Sequence, residues 1–152
     1  MKKICLSAFV FGDQYQNYIP IYIYSILKAY PDYFIVISTE KKLNNHILKQ
    51  INILREYNNN FIIKENYINQ NSNNISSLKS YRWLYLLKEY NQFNSVYIGD
   101  VDIFICKENP GIFEQHSNHC KLLNLPFSNV IRKNLDKKNF SFFASRYRRH
   151  GI

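Results

Sequence analysis

Residues 96–105, Val-Tyr-Ile-Gly-Asp-Val-Asp-Ile-Phe-Ile, hold two carboxylates one residue apart between two apolar runs. The first run predicts a buried strand, so Asp100 and Asp102 are expected at its exit. A carboxylate that is taken out of water must be paired, protonated or bound to a cation. The pair therefore predicts a divalent-metal site, and a solvated pair of turn acids is the alternative interpretation.

The chain before this segment alternates between strand and helix patterns. Lys3–Phe11 is almost continuously apolar, which is typical of a central strand in a parallel sheet. A polar loop is predicted at 12–17, followed by a helix over Tyr18–Tyr30 with Pro20 in its first turn and Pro31 at its end. The next predicted elements are a strand at Tyr33–Ser38, a helix over Leu43–Leu54 and a third short strand at Phe61–Lys64. An Asn-rich loop at Asn66–Asn74 and a third helix from about Ser76 follow.

Asn94 and Ser95 are predicted to form the turn into the strand that precedes Asp100. Beyond the acid pair, Asn109 and Pro110 are suited to the cap and first position of a fourth helix. That helix is predicted over about Pro110–Asn124, and a short strand over Phe127–Ile131.

This β-α-β-α-β-α-β order predicts an α/β fold with a mostly parallel sheet and flanking helices. Ligands of such sheets bind at the carboxyl ends of the strands. We therefore expect the loop after the first strand and the Asp100–Asp102 pair to lie on the same edge. A metal held by two carboxylates is commonly Mg²⁺ or Mn²⁺, completed by substrate phosphates, and it offsets charge on a departing diphosphate.

The positive charge is concentrated near the C-terminus. Residues 132–152 hold seven Lys or Arg against Asp136, which gives +6 of the formal net charge of +9. Residues 1–131 are therefore only mildly basic. A basic, poorly ordered tail is predicted at 132–152; its partners would be nucleic acid or an anionic membrane, and a merely solvated end is the alternative.

The three cysteines, Cys5, Cys106 and Cys120, give no disulfide framework and suit a reducing cytosol. Lys2 and Lys3 before an apolar run are superficially similar to a signal peptide, but Gly12 ends the run early and a first strand is the preferred interpretation. No run approaches the ~20 apolar residues that span a bilayer. With four glycines in all, a glycine-rich phosphate loop is not expected.

Two segments together resemble a known enzyme family. Residues 80–84, Ser-Tyr-Arg-Trp-Leu, and residues 97–105 are similar to the core of bacterial nucleotide-sugar-dependent glycosyltransferases of the GT-A fold, most of all the galactosyltransferase-like group of lipopolysaccharide and capsule enzymes. Residues 8–15 resemble their first strand and nucleotide loop. The resemblance covers about residues 3–131, and the family's second half, with its acceptor site and metal-binding His, has no counterpart. It implies a nucleotide-sugar-binding half-domain at 1–131 and a chain that is truncated at its C-terminus.

The resemblance also implies roles for individual residues. Asp100 and Asp102 would hold Mn²⁺ or Mg²⁺ and, through it, the diphosphate of the donor. Arg82 lies one position away from the family's arginine, so an ion pair with Glu89 is its alternative role. The residues implied in nucleotide-sugar binding are Gly12, Asp13, Tyr15, Lys79, Arg82, Asp100 and Val101.

Three functions follow as hypotheses. The first is a cytoplasmic glycosyltransferase that moves a sugar from a nucleotide-diphosphate sugar to a glycan or lipid-linked acceptor. The preferred donor is a UDP-sugar, and the basic tail would allow the enzyme to contact the inner face of the membrane. The second is a truncated remnant that only folds or binds nucleotide. The third is a nucleic-acid-binding module, which is not preferred because the aromatic residues fall on core stripes. No catalytic base is predicted.

A second metal hypothesis involves Glu114, His116, His119 and Cys120 on the fourth helix. A zinc site would need further ligands at set spacing, and Cys106 alone is a poor supplement. Half-buried histidines on the inner face of the helix are the preferred interpretation.

Overall fold

A computed structural model describes residues 2–67 and 88–128 of the chain. The described residues form four strands, four α-helices and one short 3₁₀ helix. In chain order these are β1 (Lys2–Val10), α1 (Asp13–Gln16), α2 (Ile19–Ala29), β2 (Phe34–Thr39), α3 (Asn45–Tyr57), β3 (Phe61–Lys64), the 3₁₀ helix (Lys88–Gln92), β4 (Phe93–Gly99) and α4 (Ile112–Leu123).

The four described strands form one sheet in the order β3-β2-β1-β4. Each neighbouring pair is parallel. β1 therefore lies in the interior of the sheet, as its continuous apolar run predicts. The prediction of a Rossmann-like α/β fold with a mostly parallel sheet is confirmed.

Both faces of the sheet are buried, because helices or turns cover each of them. On one face, Leu6 and Ala8 of β1 pack with Ile35 of β2 under α2 and α3 in the larger apolar cluster. On the other face, Cys5 and Val36 belong to a second cluster with Tyr90 of the 3₁₀ helix. Alternate side chains of one strand enter different clusters, so the strand sequences show no alternation of apolar and polar residues.

Most predicted elements are present within one or two residues, and three details differ. Residues 13–16 form a helical turn and not a loop, because the buried Gln16 side chain holds them to the segment after β2. Asn94 and Ser95 lie within β4, where Ser95 is paired with Ile4. The predicted cap at Asn109 is also wrong.

Helix α4 begins at Ile112, with Gly111 as its cap residue. The Gly111 N–H donates to Glu114 Oε2 at 3.2 Å, so a side chain three residues into the helix satisfies the backbone at its start. This capping interaction fixes the helix start after Pro110, and not at Asn109.

Several predicted features lie outside the described residues. They are most of the Asn66–Asn74 loop, the helix from about Ser76, most of the Phe127–Ile131 segment, whose described residues Phe127 and Ser128 are not in a strand, and the basic tail at 132–152 with the proposed domain boundary before it. Within residues 2–67 and 88–128, no helix has the length and apolarity needed to cross a membrane.

Candidate functional site

The carboxyl edge of the sheet brings the loop after β1 beside the acid pair after β4. The two strands run in parallel, with Ala8 opposite Gly99 at the end of their pairing. β4 ends at Gly99, and β1 ends two residues beyond Ala8, at Val10. The predicted placement of the β1 loop and Asp100 on one edge is therefore confirmed.

Gly99 ends β4 at a position where a side chain does not fit. A Cβ built on Gly99 would lie 2.6 Å from a ring carbon of Tyr97, whose side chain is buried in the core. Two residues apart on a strand, these positions share a face. Glycine therefore lets the chain pass close to the tyrosine ring immediately before the acid pair.

The acid pair straddles a buried valine. Val101 is 4% exposed and belongs to the main core, whereas Asp100 and Asp102 are exposed. The expectation that both carboxylates are costly to place is therefore wrong, because neither side chain is removed from water. The valine anchors the turn, and both acids are turned away from the core.

The chain after the acid pair is fastened to α2 by two hydrogen bonds. The buried backbone N–H of Ile105 donates to Ser25 Oγ at 3.1 Å, and the N–H of Glu108 donates to Tyr30 Oη at 2.9 Å. Ser25 in turn donates to the Tyr22 carbonyl at 2.8 Å. The loop that carries the acids is therefore held in place at the buried Ile105, three residues after Asp102.

The loop after β1 is shaped by Gly12 and Gln16. Gly12 has φ +75°, a left-handed conformation that favours glycine, and its N–H donates to Glu40 Oε2 at 3.2 Å. Gln16 Nε2 donates to the Lys42 carbonyl at 3.1 Å, and its Oε1 accepts from the Asn44 N–H at 3.0 Å. These contacts fix α1 and leave Asp13 and Tyr15 exposed.

An open cleft of about 450 Å³ lies between α1 and the acid pair. It brings Tyr15 together with Asp102, two of the residues that the sequence singled out. Gly12, Asp13, Asp100 and Val101 lie nearby in the chain but do not line this cleft. Its lining is Gln14, Tyr15, Asn17, Tyr18 and Asp102.

Two of the cleft's features are not recognised from the sequence. Gln14 supplies an amide group that can donate to and accept from hydroxyls, and Asn17 supplies an amide whose Oδ1 lies 3.1 Å from His46 Nε2 and whose NH₂ can donate. Tyr18 places its ring 6.1 Å from the ring of Tyr15. The only sequence signal for the two amides is the polar composition of residues 12–17, and Tyr18 lies outside that segment. The supporting role of Ser25 has an equally small signal, one polar position within an apolar helix.

The carboxylates suit a metal that is completed by its substrate. Mg²⁺ is commonly bound through one or two carboxylates together with substrate phosphates, and Asp100 and Asp102 are two exposed carboxylates on one anchored turn. In the described part of the chain, no group of three or more His, Cys, Asp and Glu side chains is arranged to hold a metal by itself. The donor set therefore fits Mg²⁺ or Mn²⁺ only with oxygen atoms from a ligand or water.

Lys79 and Arg82, which are predicted to bind the nucleotide sugar, lie outside the described residues. Glu89, the partner considered for Arg82, forms an ion pair with Lys64 of β3. The hydrogen bond from Lys64 lowers the pKa of Glu89 below its usual value, against the opposing effect of burial. Lys64 also lies 5.7 Å from the ring centre of Tyr67, so this pair belongs to the packing of the second sheet face.

The histidines of α4 have a structural explanation. His116 is buried and His119 half-buried, and the Nδ1 atoms of both lie 2.9 Å from Ser128 Oγ. Since one hydroxyl can donate to one nitrogen and accept from the other, the serine can satisfy both rings. The burial of His116, the partial burial of His119 and their shared contact with Ser128 confirm the preferred interpretation of inward-facing histidines. Glu114, the other residue of this hypothesis, caps the helix.

A solved structure shares this fold. The crystal structure of residues 1–349 of TarS from S. aureus, a staphylococcal glycosyltransferase, matches with a TM-score of 0.53 at 13% sequence identity. The match covers 92% of this chain and 38% of that chain, so this chain spans less than two-fifths of the TarS structure. No protein-family model matches the sequence, and no curated protein sequence does either. The chain therefore shares its Rossmann-like α/β fold with the TarS structure.

Proposed function

We propose that this chain is the nucleotide-sugar-binding unit of a glycosyltransferase, and that Asp100 and Asp102 bind the donor diphosphate through Mn²⁺ or Mg²⁺. The observation that carries the proposal is the cleft at the carboxyl edge, where Asp102 faces α1 across a space of about 450 Å³. Ligands of parallel α/β sheets bind at this edge. The similarity of this fold to that of TarS, a glycosyltransferase, supports the same class of ligand.

Each group in the cleft would contribute a different interaction. The bound metal would stabilise negative charge on the departing diphosphate. Gln14 and Asn17 would hydrogen-bond hydroxyl groups of the ribose or the sugar, and the exposed ring of Tyr15 would contact an apolar face of the donor. Val101 and Ser25 would act indirectly, because they hold the turn and the following loop in place.

The reaction class that follows is transfer of the sugar to an acceptor hydroxyl. Asp100 and Asp102 would contribute by holding the cation whose positive charge stabilises the leaving group in the transition state. A UDP-sugar is the first donor to test, and the acceptor would be a glycan or a lipid-linked sugar. No residue of this cleft is assigned to an acceptor site or as a catalytic base.

Thermal unfolding with donor and metal tests the proposal. At a donor concentration ten times Kd, binding stabilises the folded chain by about 1.4 kcal/mol, which corresponds to a rise in Tm of about 4 °C for a chain of this size. We expect this rise with a UDP- or GDP-sugar in the presence of Mn²⁺, and its loss when EDTA is added.

The matched variants are Asp102→Asn and Asp32→Asn. Both replace one exposed carboxylate by an amide, but Asp32 lies in the turn before β2, at the opposite edge of the sheet. The donor-dependent rise should disappear in Asp102→Asn and persist in Asp32→Asn. The proposal is wrong if no donor raises Tm with either metal, or if Asp102→Asn responds like the wild type. Release of free sugar from the donor then distinguishes a catalytic unit from one that only binds.

A further inference from the structure

The outward faces of α2 and α3 carry large apolar side chains that are exposed to solvent. Ile21 is 51% exposed and Tyr24 43% on α2, and Ile53 is 66% exposed and Tyr57 58% on α3. Single exposed apolar residues are ordinary on protein surfaces, but a contiguous set marks a contact site. These four residues are called the α2–α3 face below.

The four side chains form one continuous surface. The pairs Ile21–Tyr24 and Ile53–Tyr57 are three and four residues apart, so each pair lies on one side of its helix. A groove of about 340 Å³ between the helices is lined by three of the four, Ile21, Tyr24 and Ile53. The rings of Tyr24 and Tyr57 lie 6.5 Å apart, centre to centre, and close the surface at its other end.

Lysines flank this apolar surface. Lys28 follows Tyr24 by one helical turn, and Lys49 precedes Ile53 by one turn; both are exposed. The Lys, Arg, Asp and Glu residues of the two helices are Lys28, Lys49, Arg55 and Glu56, which give a net charge of +2. Charge complementarity therefore favours an anionic partner.

We propose that the α2–α3 face docks on the surface of an anionic lipid bilayer. Ile21 and Ile53 would enter the boundary between headgroups and acyl chains, where an amphipathic surface gains most from burial. Tyr24 and Tyr57 have the combination of ring and hydroxyl that favours the headgroup level. Lys28 and Lys49 would lie next to lipid phosphates.

A second copy of the chain fits this surface less well. Four side chains that expose about half of roughly 200 Å² each present on the order of 400 Å² of surface. A second copy would have to bury about as much again from neighbouring residues to reach the ~800 Å² per partner typical of a stable interface. Two copies would also bring together surfaces of the same positive sign. A lipid surface needs no such minimum area, because affinity increases with each inserted group and each lysine.

Docking in this way has a consequence for the cleft that contains Asp102. Asn17 lines both that cleft and the α2–α3 groove, so the two concave surfaces adjoin. The cleft would open beside the lipid headgroups. The docking proposal itself does not depend on the proposed enzyme function, since it rests on the exposed residues of α2 and α3 alone.

Vesicle sedimentation with the full chain tests the proposal. The vesicles are phosphatidylcholine alone or phosphatidylcholine mixed with phosphatidylglycerol. We expect clear binding to the mixed vesicles, reduced about tenfold in Ile21→Ser/Ile53→Ser and about fivefold per substitution in Lys28→Gln and Lys49→Gln. Leu122→Ser is the matched control, because Leu122 is 82% exposed on α4, away from the face, and its binding should equal that of the wild type.

Three results would overturn the proposal. The first is equal binding of the double serine variant and the wild type; residues 132–152 are present in both, so their charge cannot cause a difference. The second is loss of binding in Leu122→Ser to the same extent. The third is a wild-type dimer that the double variant converts to a monomer in light scattering, which would assign the face to a second copy.

A second measurement covers the case in which the double variant does not fold. Tyr57→Trp changes one exposed ring for another and adds a fluorophore to the α2–α3 face. Its emission, relative to that of the wild type, should shift to shorter wavelength with phosphatidylglycerol vesicles and be quenched by brominated lipid. Unchanged emission during binding would contradict insertion of this face.

Discussion

Replacing Ser25 by alanine is expected to destabilise the fold and release the loop after the acid pair. Ser25 is 1% exposed, and its Oγ accepts the N–H of Ile105 at 3.1 Å while donating to the Tyr22 carbonyl at 2.8 Å. Alanine removes that acceptor. Because Ile105 is 2% exposed, its N–H loses a partner that water does not readily replace. An unsatisfied buried donor costs about 1–3 kcal/mol, which is the expected loss in the free energy of unfolding.

Ser38→Ala is the matched control, with the opposite expected sign. Ser38 is also 1% exposed, but within the described part of the chain its Oγ has no hydrogen-bond partner. A buried hydroxyl without a partner is unfavourable, so its removal should leave stability unchanged or raise it by up to about 1 kcal/mol. The two variants delete the same atom at the same burial, but they differ in hydrogen bonding and in position, since Ser25 lies in α2 and Ser38 in β2. The better helix propensity of alanine offsets a small part of the expected loss at Ser25.

Urea unfolding measures both free energies, and amide hydrogen exchange reports on the loop itself. We expect a lower midpoint with an unchanged slope for Ser25→Ala, together with faster exchange of the Ile105 N–H. The donor-dependent rise in Tm should also be smaller, because the loop that carries Asp102 is less restrained. Equal free energies for Ser25→Ala and Ser38→Ala would refute the assignment of the Ser25 hydroxyl as the anchor of the loop.

Three further predictions concern the sheet. Tyr90 Oη lies 2.6 Å from Ser7 Oγ in the buried second face, so Tyr90→Phe and Ser7→Ala should each cost about 1–3 kcal/mol, while the double variant costs less than their sum in a urea double-mutant cycle. Lys64 lowers the pKa of Glu89 below its ordinary value of 4.5, so the pair stabilises the fold above pH 4.5 and this contribution is lost as pH falls through the lowered pKa. In Lys64→Gln, the midpoint of urea unfolding should therefore decrease less steeply as the pH is lowered below 4.5. Gly99→Ala should cost about 1–3 kcal/mol in thermal unfolding, because the added methyl would lie 2.6 Å from the ring of a buried tyrosine; an unchanged Tm would show that the ring moves freely.

The elements that the sequence predicted best are those whose pattern is set by burial. Phe61–Lys64 is predicted and found as a strand with the same bounds, and the helix around Ile23 differs from its prediction by one residue at each end. Their side chains face the core with a fixed period, so the pattern is visible locally. The predicted start of α4 at Pro110 is wrong, although proline is common at the first position of a helix. The helix begins at Ile112 instead, where the contact between the Gly111 N–H and Glu114 caps it.

The candidate site was predicted in part, and the reasons differ for each residue. Asp102 and Tyr15 could be assigned to one edge, since parallel strands place their carboxyl ends together. Their exposure was not predicted, because the apolar residues on both sides of the acids indicated burial, and only the core contact of Val101 shows which way the turn faces. The amide groups of Gln14 and Asn17 have no pattern of their own.

The sequence by itself determined the order of strands and helices, the parallel sheet and the edge on which Asp100 and Asp102 lie. These follow from the period and length of apolar runs, which report burial along the chain. Only the tertiary structure decided that the carboxylates face solvent, that Ser25 fastens the loop beyond them, and that α2 and α3 form one exposed apolar face. Each of these depends on contacts between residues far apart in the chain, and a local sequence pattern does not show which distant residues are in contact.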